Sequence, residues 1–218
     1  SLLSFLLDAR DWPADPRPFK RTNLFVHVVN GVLLYSVLVA LGGRLSADRR
    51  RVLAAAFLTS ALWLLHPLWI STVLYVIQRQ AMLAALFTLC GIRLWIASRD
   101  AFTRQQCARG WLLALIAVPL CGTLAGLSKA NGFLLPLLLV VLQVTVLRPA
   151  AAAGSAATHA RRASLLFAWL PATALLGWLA WQGIGLGLDG HAGRPWSLGE
   201  RLLSQPRALC DYLHRLLV

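Results

Sequence analysis

Acidic side chains are what this chain has least of: eight Asp and Glu stand against 21 Lys and Arg in 218 residues. Charged residues of both signs make up only 13%, and hydrophobic ones 58%. A water-exposed domain carries about a quarter charged residues, so a soluble globule is excluded. Nucleic-acid binding falls with it, because the net charge of +13 is spread over short loops beside apolar segments rather than gathered on one soluble face. Cys90, Cys107, Cys121 and Cys210 show no CxxC spacing. Neither a disulfide framework nor a redox or metal centre is therefore read from the residues. No internal repeat is visible, which argues against an inverted-repeat transporter.

What remains is apolar length. Six runs, roughly Leu24 to Leu41, Val52 to Leu65, Ser71 to Ile96 with Arg79 inside, Trp111 to Leu127, Phe133 to Leu147 and Leu165 to Ile184, mostly approach the ~20 residues a bilayer core requires. Lipid offers no partner to a bare amide, so each must be helical. The expected fold is all-α, a polytopic transmembrane helix bundle with six spans and the start of a seventh. Residues 1–22 are read as the tail of an outer loop, 23–185 as the bundle, 186–208 as another outer loop and 209–218 as the start of a further span. The chain opens on Ser1 and stops within an apolar stretch. It is therefore expected to be an internal fragment with at least one span upstream.

Arginine sets the expected topology. The gap after the first run carries Arg44, Arg49, Arg50 and Arg51, the gap after the third carries Arg99, Arg104 and Arg109, and the gap after the fifth carries Arg148, Arg161 and Arg162. These three gaps are expected to be cytoplasmic. The alternate gaps, with Arg79 and Lys129, and both end segments should face the outside. Trp63, Trp69, Trp178 and Trp181 fall near the outer boundary of this register, and Trp95 and Trp111 near the inner one, as interfacial belts. The segment from Ala150 to Ala163 reads as a low-complexity connector.

Chemistry should lie where polar groups enter the membrane, because an ionisable residue at depth is costly. Asn23, His27, Asn30 and Gly31 recur at helical spacing on one face of the first run. They form either an interhelical hydrogen-bond seam, with Gly31 permitting close approach, or part of a polar site. In the second cluster Pro67 ends the second helix just after His66, and Ser71 is placed to cap a new helix with Tyr75 and Arg79 on one face. Such a dip would hold a phosphate through the Arg79 fork, His66 and Tyr75; the alternative is an arginine snorkelling to the headgroups. The turn Ser128-Lys129-Ala-Asn131-Gly132 offers Lys129 as a second cation or as an interfacial anchor, with Gly132 free to take positive φ. Arg93 is expected to snorkel inward.

The pattern Phe19-Lys-Arg-Thr-Asn23-Leu-Phe-Val-His27-Val-Val-Asn30-Gly31, then His66-Pro67, then Val73-Leu-Tyr75-Val-Ile-Gln78-Arg79, then Ser128-Lys129-Ala-Asn131-Gly132 with Leu134-Leu-Pro136, resembles the membrane region of bacterial tetratricopeptide-repeat membrane proteins. These are similar to the transmembrane and TPR-containing O-mannosyltransferases and other GT-C glycosyltransferases. The resemblance implies a GT-C-like bundle in a bacterial inner membrane, taking a sugar from a polyprenyl-phosphate donor to a protein or glycan acceptor outside. It also implies an acid in the first outer loop that acts as general base or helps bind a divalent metal ion. That motif is expected upstream of Ser1, with Asp8 and Asp11 the nearest acids present, and Arg79, Lys129, His66 and Tyr75 are left for the donor phosphate. Lys129-Ala departs from the Lys-Glu form of such proteins, and no TPR array lies in this stretch. Two other classes stand beside this one: a flippase or transporter of a lipid-linked or anionic substrate, and a non-catalytic membrane anchor for TPR repeats.

Overall fold

The computed structural model describes residues 2–6, 8, 15–147, 154–188 and 198–217. Among these the chain is helical without a strand, in the order α1 (Leu2–Phe5), α2 (Pro16–Leu45), α3 (Arg49–Leu65), α4 (Trp69–Leu74), α5 (Arg79–Thr103), α6 (Cys107–Leu115), α7 (Cys121–Ser128), α8 (Leu135–Thr145), α9 (Ser155–Ser164), α10 (Leu170–Leu188) and α11 (Leu198–Leu217). It divides into two compact units, Ser1–Ala172 and Thr173–Val218. Four helical stretches are long and apolar enough to cross a membrane: Pro16–Leu45, Val76–Thr103, Cys107–Ser128 and Ser155–Gly183. They are compatible with an integral membrane protein. Of the six expected spans, the second (α3, 17 residues) is only about 25 Å long at 1.5 Å per residue. The fifth, Ala130–Thr145, is shorter again.

The scarce acids start the helices. Asp15 accepts the Arg17 amide at 3.0 Å ahead of Pro16 in the first turn of α2. Asp48 accepts those of Arg50 and Arg51 at 3.1 and 3.2 Å at the start of α3. Each satisfies amides that the first turn leaves without partners.

Within the first unit α5 is the central helix, packed against α2, α6, α7, α8 and α9. Small residues allow that crowding. Ala114, Ala117 and Ala125 are fully buried on the α6–α7 stretch, and a Cβ on Gly91 of α5 would lie 2.8 Å from the Ala117 carbonyl oxygen. Backbones this close are how helices associate where the solvent is as apolar as the side chains. Pro119 lacks an amide to donate, and the helix opens around it into a π-turn over Ile116–Leu120 before resuming as α7. A second π-turn, Leu165–Trp169, joins α9 to α10. Trp95 is fully buried in this core with Ile96, Phe102, Leu135 and Leu139, so it is not the interfacial residue expected from its position. Trp111 sits edge-on to Phe102 and Phe167.

The third run is not one helix. α4 stops at Leu74, Tyr75 is extended, and a single 3₁₀ turn (Val76–Gln78) precedes α5. Ser71 therefore lies inside α4, whose N-cap position is Leu68, and does not cap a helix that carries Tyr75 and Arg79 together. Tyr75 is 64% exposed and Arg79 fully buried, so the two do not share a face. Gly132 also differs from expectation. Its φ is not positive; the residue is needed because a Cβ there would collide with the backbone of Ala125 and Gly126.

The second unit holds the remainder of α10, where Trp178 and Trp181 are exposed, and α11. The latter begins inside the segment expected as an outer loop. Its sequence alternates leucines with Glu200, Arg207, Asp211 and His214 at helical spacing, an amphipathic helix rather than an apolar span. Asp11, Arg148, Asp189 and His191 lie outside the described residues.

Gly132→Ala should lower the melting temperature of detergent-purified protein by several degrees, since overpacking against backbone costs about 1–3 kcal/mol. Gly43→Ala, whose Cβ meets nothing within 4 Å, should leave it unchanged or slightly raised in the same thermal scans.

Candidate functional site

The polar stripe of α2 faces the places where the chain breaks. Asn23 Nδ2 donates to the carbonyls of Val73 and Tyr75 at 3.1 and 3.2 Å, at the end of α4. His27 Nε2 lies 3.0 Å from the Leu64 carbonyl in the last turn of α3, and must carry the proton to donate to it. Asn30 Nδ2 donates to Met82 O at 3.0 Å in the first turn of α5. Last-turn carbonyls have no intrahelical partner. One face of α2 thus supplies donors where α3 and α4 end and where α5 begins, and Asn23, His27 and Asn30 form the seam. His27 also packs its ring against Trp63, at 5.1 Å between centroids, and Trp63 against Trp69 at 5.2 Å. The Gly31 Cβ position lies 2.9 Å from Leu64 Cδ1, the close approach expected of it.

Arg79, the first residue of α5, is fully buried. Its Nε donates to Asn23 Oδ1 at 2.8 Å, Nη1 to Ser4 O at 2.8 Å and Nη2 to Phe19 O at 3.0 Å. Nη2 also lies 2.5 Å from Asp8 Oδ2, an ion pair whose angles fall outside hydrogen-bond alignment. The Phe5 and Phe19 rings flank the guanidinium at 4.9 and 5.6 Å, a cation–π arrangement. Asp8 Oδ1 accepts the Thr22 hydroxyl at 2.8 Å. Arg79 therefore neither reaches outward to headgroups nor presents an open fork. Its donors are spent on α2, through Asn23 and Phe19, and on Ser4 in the segment before α2, which it fastens to the bundle together with the Asp8 ion pair. No rule of spacing links Asp8 to Arg79, and only the buried cation itself signals that some acid must be near.

The other expected site residues remain apart from this cluster. His66 is half-buried just after α3, and its Nδ1 accepts the Leu68 amide at 3.2 Å. The ring proton is thereby placed on Nε2, which has no partner among the described residues. Lys129 is exposed after α7, and its ammonium makes no bond among the described residues. The Tyr75 hydroxyl is likewise free among them. Among the described residues no hydrogen bond joins Lys129 to His66, Tyr75 or Arg79. Among the described residues no three His, Cys, Asp or Glu side chains converge to hold a metal ion. With both Asp8 oxygens engaged, the described residues around it offer no fitting donor set for a divalent ion.

At the other end of α5, the first, third and fifth gaps converge. Arg44 pairs with Asp100. Arg99 Nη1 donates to Ala160 O and Ser164 Oγ, both at 3.0 Å, and Trp111 Nε1 to His159 Nδ1 at 3.2 Å. The arginine-rich gaps therefore share one end of the bundle, as a common sidedness requires.

Arg79→Met should destabilise the protein by about 3–5 kcal/mol, because it strands a buried carboxylate. Asn23→Leu should cost about 1–3 kcal/mol for the carbonyls it leaves unpaired. Thermal unfolding in detergent reads both, and a wild-type melting temperature for Arg79→Met would show that the cluster does not hold the fold.

Comparison with known proteins gives no bearing on identity: no family model, no curated protein and no solved structure matches the chain.

Proposed function

We propose that the chain belongs to a GT-C-type membrane glycosyltransferase, moving a sugar from a polyprenyl-phosphate donor to an acceptor outside a bacterial inner membrane. The observation that supports this reading is the placement of Asp8. Its carboxylate is fixed through Thr22 and Arg79 at the end of the bundle opposite the arginine-rich gaps. An acid at that end is what an inverting transfer needs. In this reading the acceptor hydroxyl oxygen attacks the anomeric carbon, the bond from that carbon to the phosphate oxygen breaks, and Asp8 receives the hydroxyl proton. The phosphate leaves with the bonding pair.

Arg79 changes role under this reading. With its donors committed to protein, it is a positioning residue that orients the Asp8 carboxylate. The donor phosphate falls to the free groups at the same end: Lys129, His66 Nε2 and the Tyr75 hydroxyl. A cation and two neutral donors suit a leaving phosphate whose charge grows in the transition state.

The test follows labelled sugar transfer, and binding of a short-chain polyprenyl phosphate, in full-length protein. Asp8→Asn should cut transfer by about a hundredfold or more while binding persists, and Lys129→Ala should weaken binding about tenfold, equivalent to 1.4 kcal/mol. Full transfer by Asp8→Asn would overturn the role of the acid. Absence of both binding and transfer in the wild type would favour a membrane anchor, for which the inward-turned polar stripe of α2 is sufficient.

A further inference from the structure

The arginine-rich end encloses a cavity of about 950 Å³. Arg44, Arg99 and Arg161 line it, one from each of three separate gaps, together with a single acid, Asp100. Three cations against one anion leave a local charge of +2. Arg44 uses Nη2 on Asp100 and Arg99 uses Nη1 on α9, so both keep further N–H donors unused. Arg161 is exposed and unbonded among the described residues. Gln143 of α8 also lines the cavity, and its Nε2 is buried without a hydrogen-bond partner.

We propose that this cavity binds a phosphate ester. A surplus of guanidinium donors repels cations and has no use for a neutral ligand, whereas it matches phosphate oxygens in both charge and geometry. Solvated arginines of a membrane boundary would turn outward to water or headgroups. Arg99 instead turns inward onto α9. A buried amide that lacks an acceptor calls for one to be supplied. The volume far exceeds a phosphate ion and lies in the range of sites for small organic ligands. Phe102 and Trp169 on the wall give the remainder of the ester an apolar surface. The groups of the proposed transfer reaction lie about 30 Å away along α5, at 1.5 Å per residue, so this inference is independent of that reading.

Two sources share this chemistry, an anionic lipid headgroup and a soluble phosphate ester. Purified full-length protein in a neutral detergent is titrated with dihexanoyl phosphatidic acid, with dihexanoylglycerol and with glycerol 3-phosphate, and binding is read calorimetrically. Saturable binding of phosphatidic acid but not of dihexanoylglycerol is expected. Arg161→Gln and Gln143→Leu should each weaken it tenfold or more at an unchanged melting temperature. Glycerol 3-phosphate binding as tightly, with the same sensitivity, would also support the site and identify its ligand as soluble. The proposal is overturned if neither phosphate binds, if dihexanoylglycerol binds equally well, or if both substitutions leave affinity unaltered.

Discussion

A carbonyl left bare where a helix stops has no water to turn to inside a bilayer, and that constraint organises this bundle. The chain interrupts its apolar stretches at Leu65 and at Leu74, and each interruption frees carbonyl oxygens. The remedy comes from a single neighbouring helix. Asn23 and His27 of α2 meet both interruptions, and Asn30 reaches the first turn of α5. The same side chains then dictate how α2 packs, because rotating it by even one residue would lose the set. Polar groups in this part of the protein act as registers between helices before they act as chemistry.

Arg79 is the extreme case. A guanidinium held at zero exposure is tolerable only because carbonyls, an amide oxygen, a carboxylate and two aromatic faces close around it. The acids of this chain are few, and where they are described in the first unit each has structural work: Asp15 and Asp48 start helices, Asp100 ties α5 to the end of α2, and Asp8 answers Arg79. Positive charge is treated differently at the two ends of α5. One end neutralises its arginine completely, and the other gathers several and leaves them in surplus around a cavity.

Much of the bundle was legible in the sequence. Apolar length located the long helices except α11, whose leucines alternate with charge in a segment expected to begin as an outer loop. Helical spacing picked out the α2 stripe, and the three arginine-rich gaps, expected on the cytoplasmic side, share one end of the bundle. What escaped has a physical cause in each instance. The break at Tyr75 occurs within an apolar run that contains no proline or glycine between Ser71 and Gln80, so nothing local marks it; it becomes affordable through Asn23, 50 and 52 residues away. Arg79 reads from its own helix as a cation at a membrane boundary, and its burial depends on residues from a distant segment. Trp95 falls at the right depth for an interfacial belt but is fully buried in the core shared with Ile96, Phe102, Val118, Leu135 and Leu139. Gly132 follows a turn in the sequence, yet what demands it is the backbone of Ala125, brought back against it.

The partners of Arg79 share an ordering along the chain: Ser4, Asp8, Phe19 and Asn23 all precede it. Synthesis runs from the N-terminus. When the ribosome delivers the start of α5, the carboxylate, the carbonyls and the aromatic faces that will receive the guanidinium have already emerged. The most expensive charge in the bundle therefore enters the membrane into company prepared for it, and never has to wait in lipid for a partner still to be made.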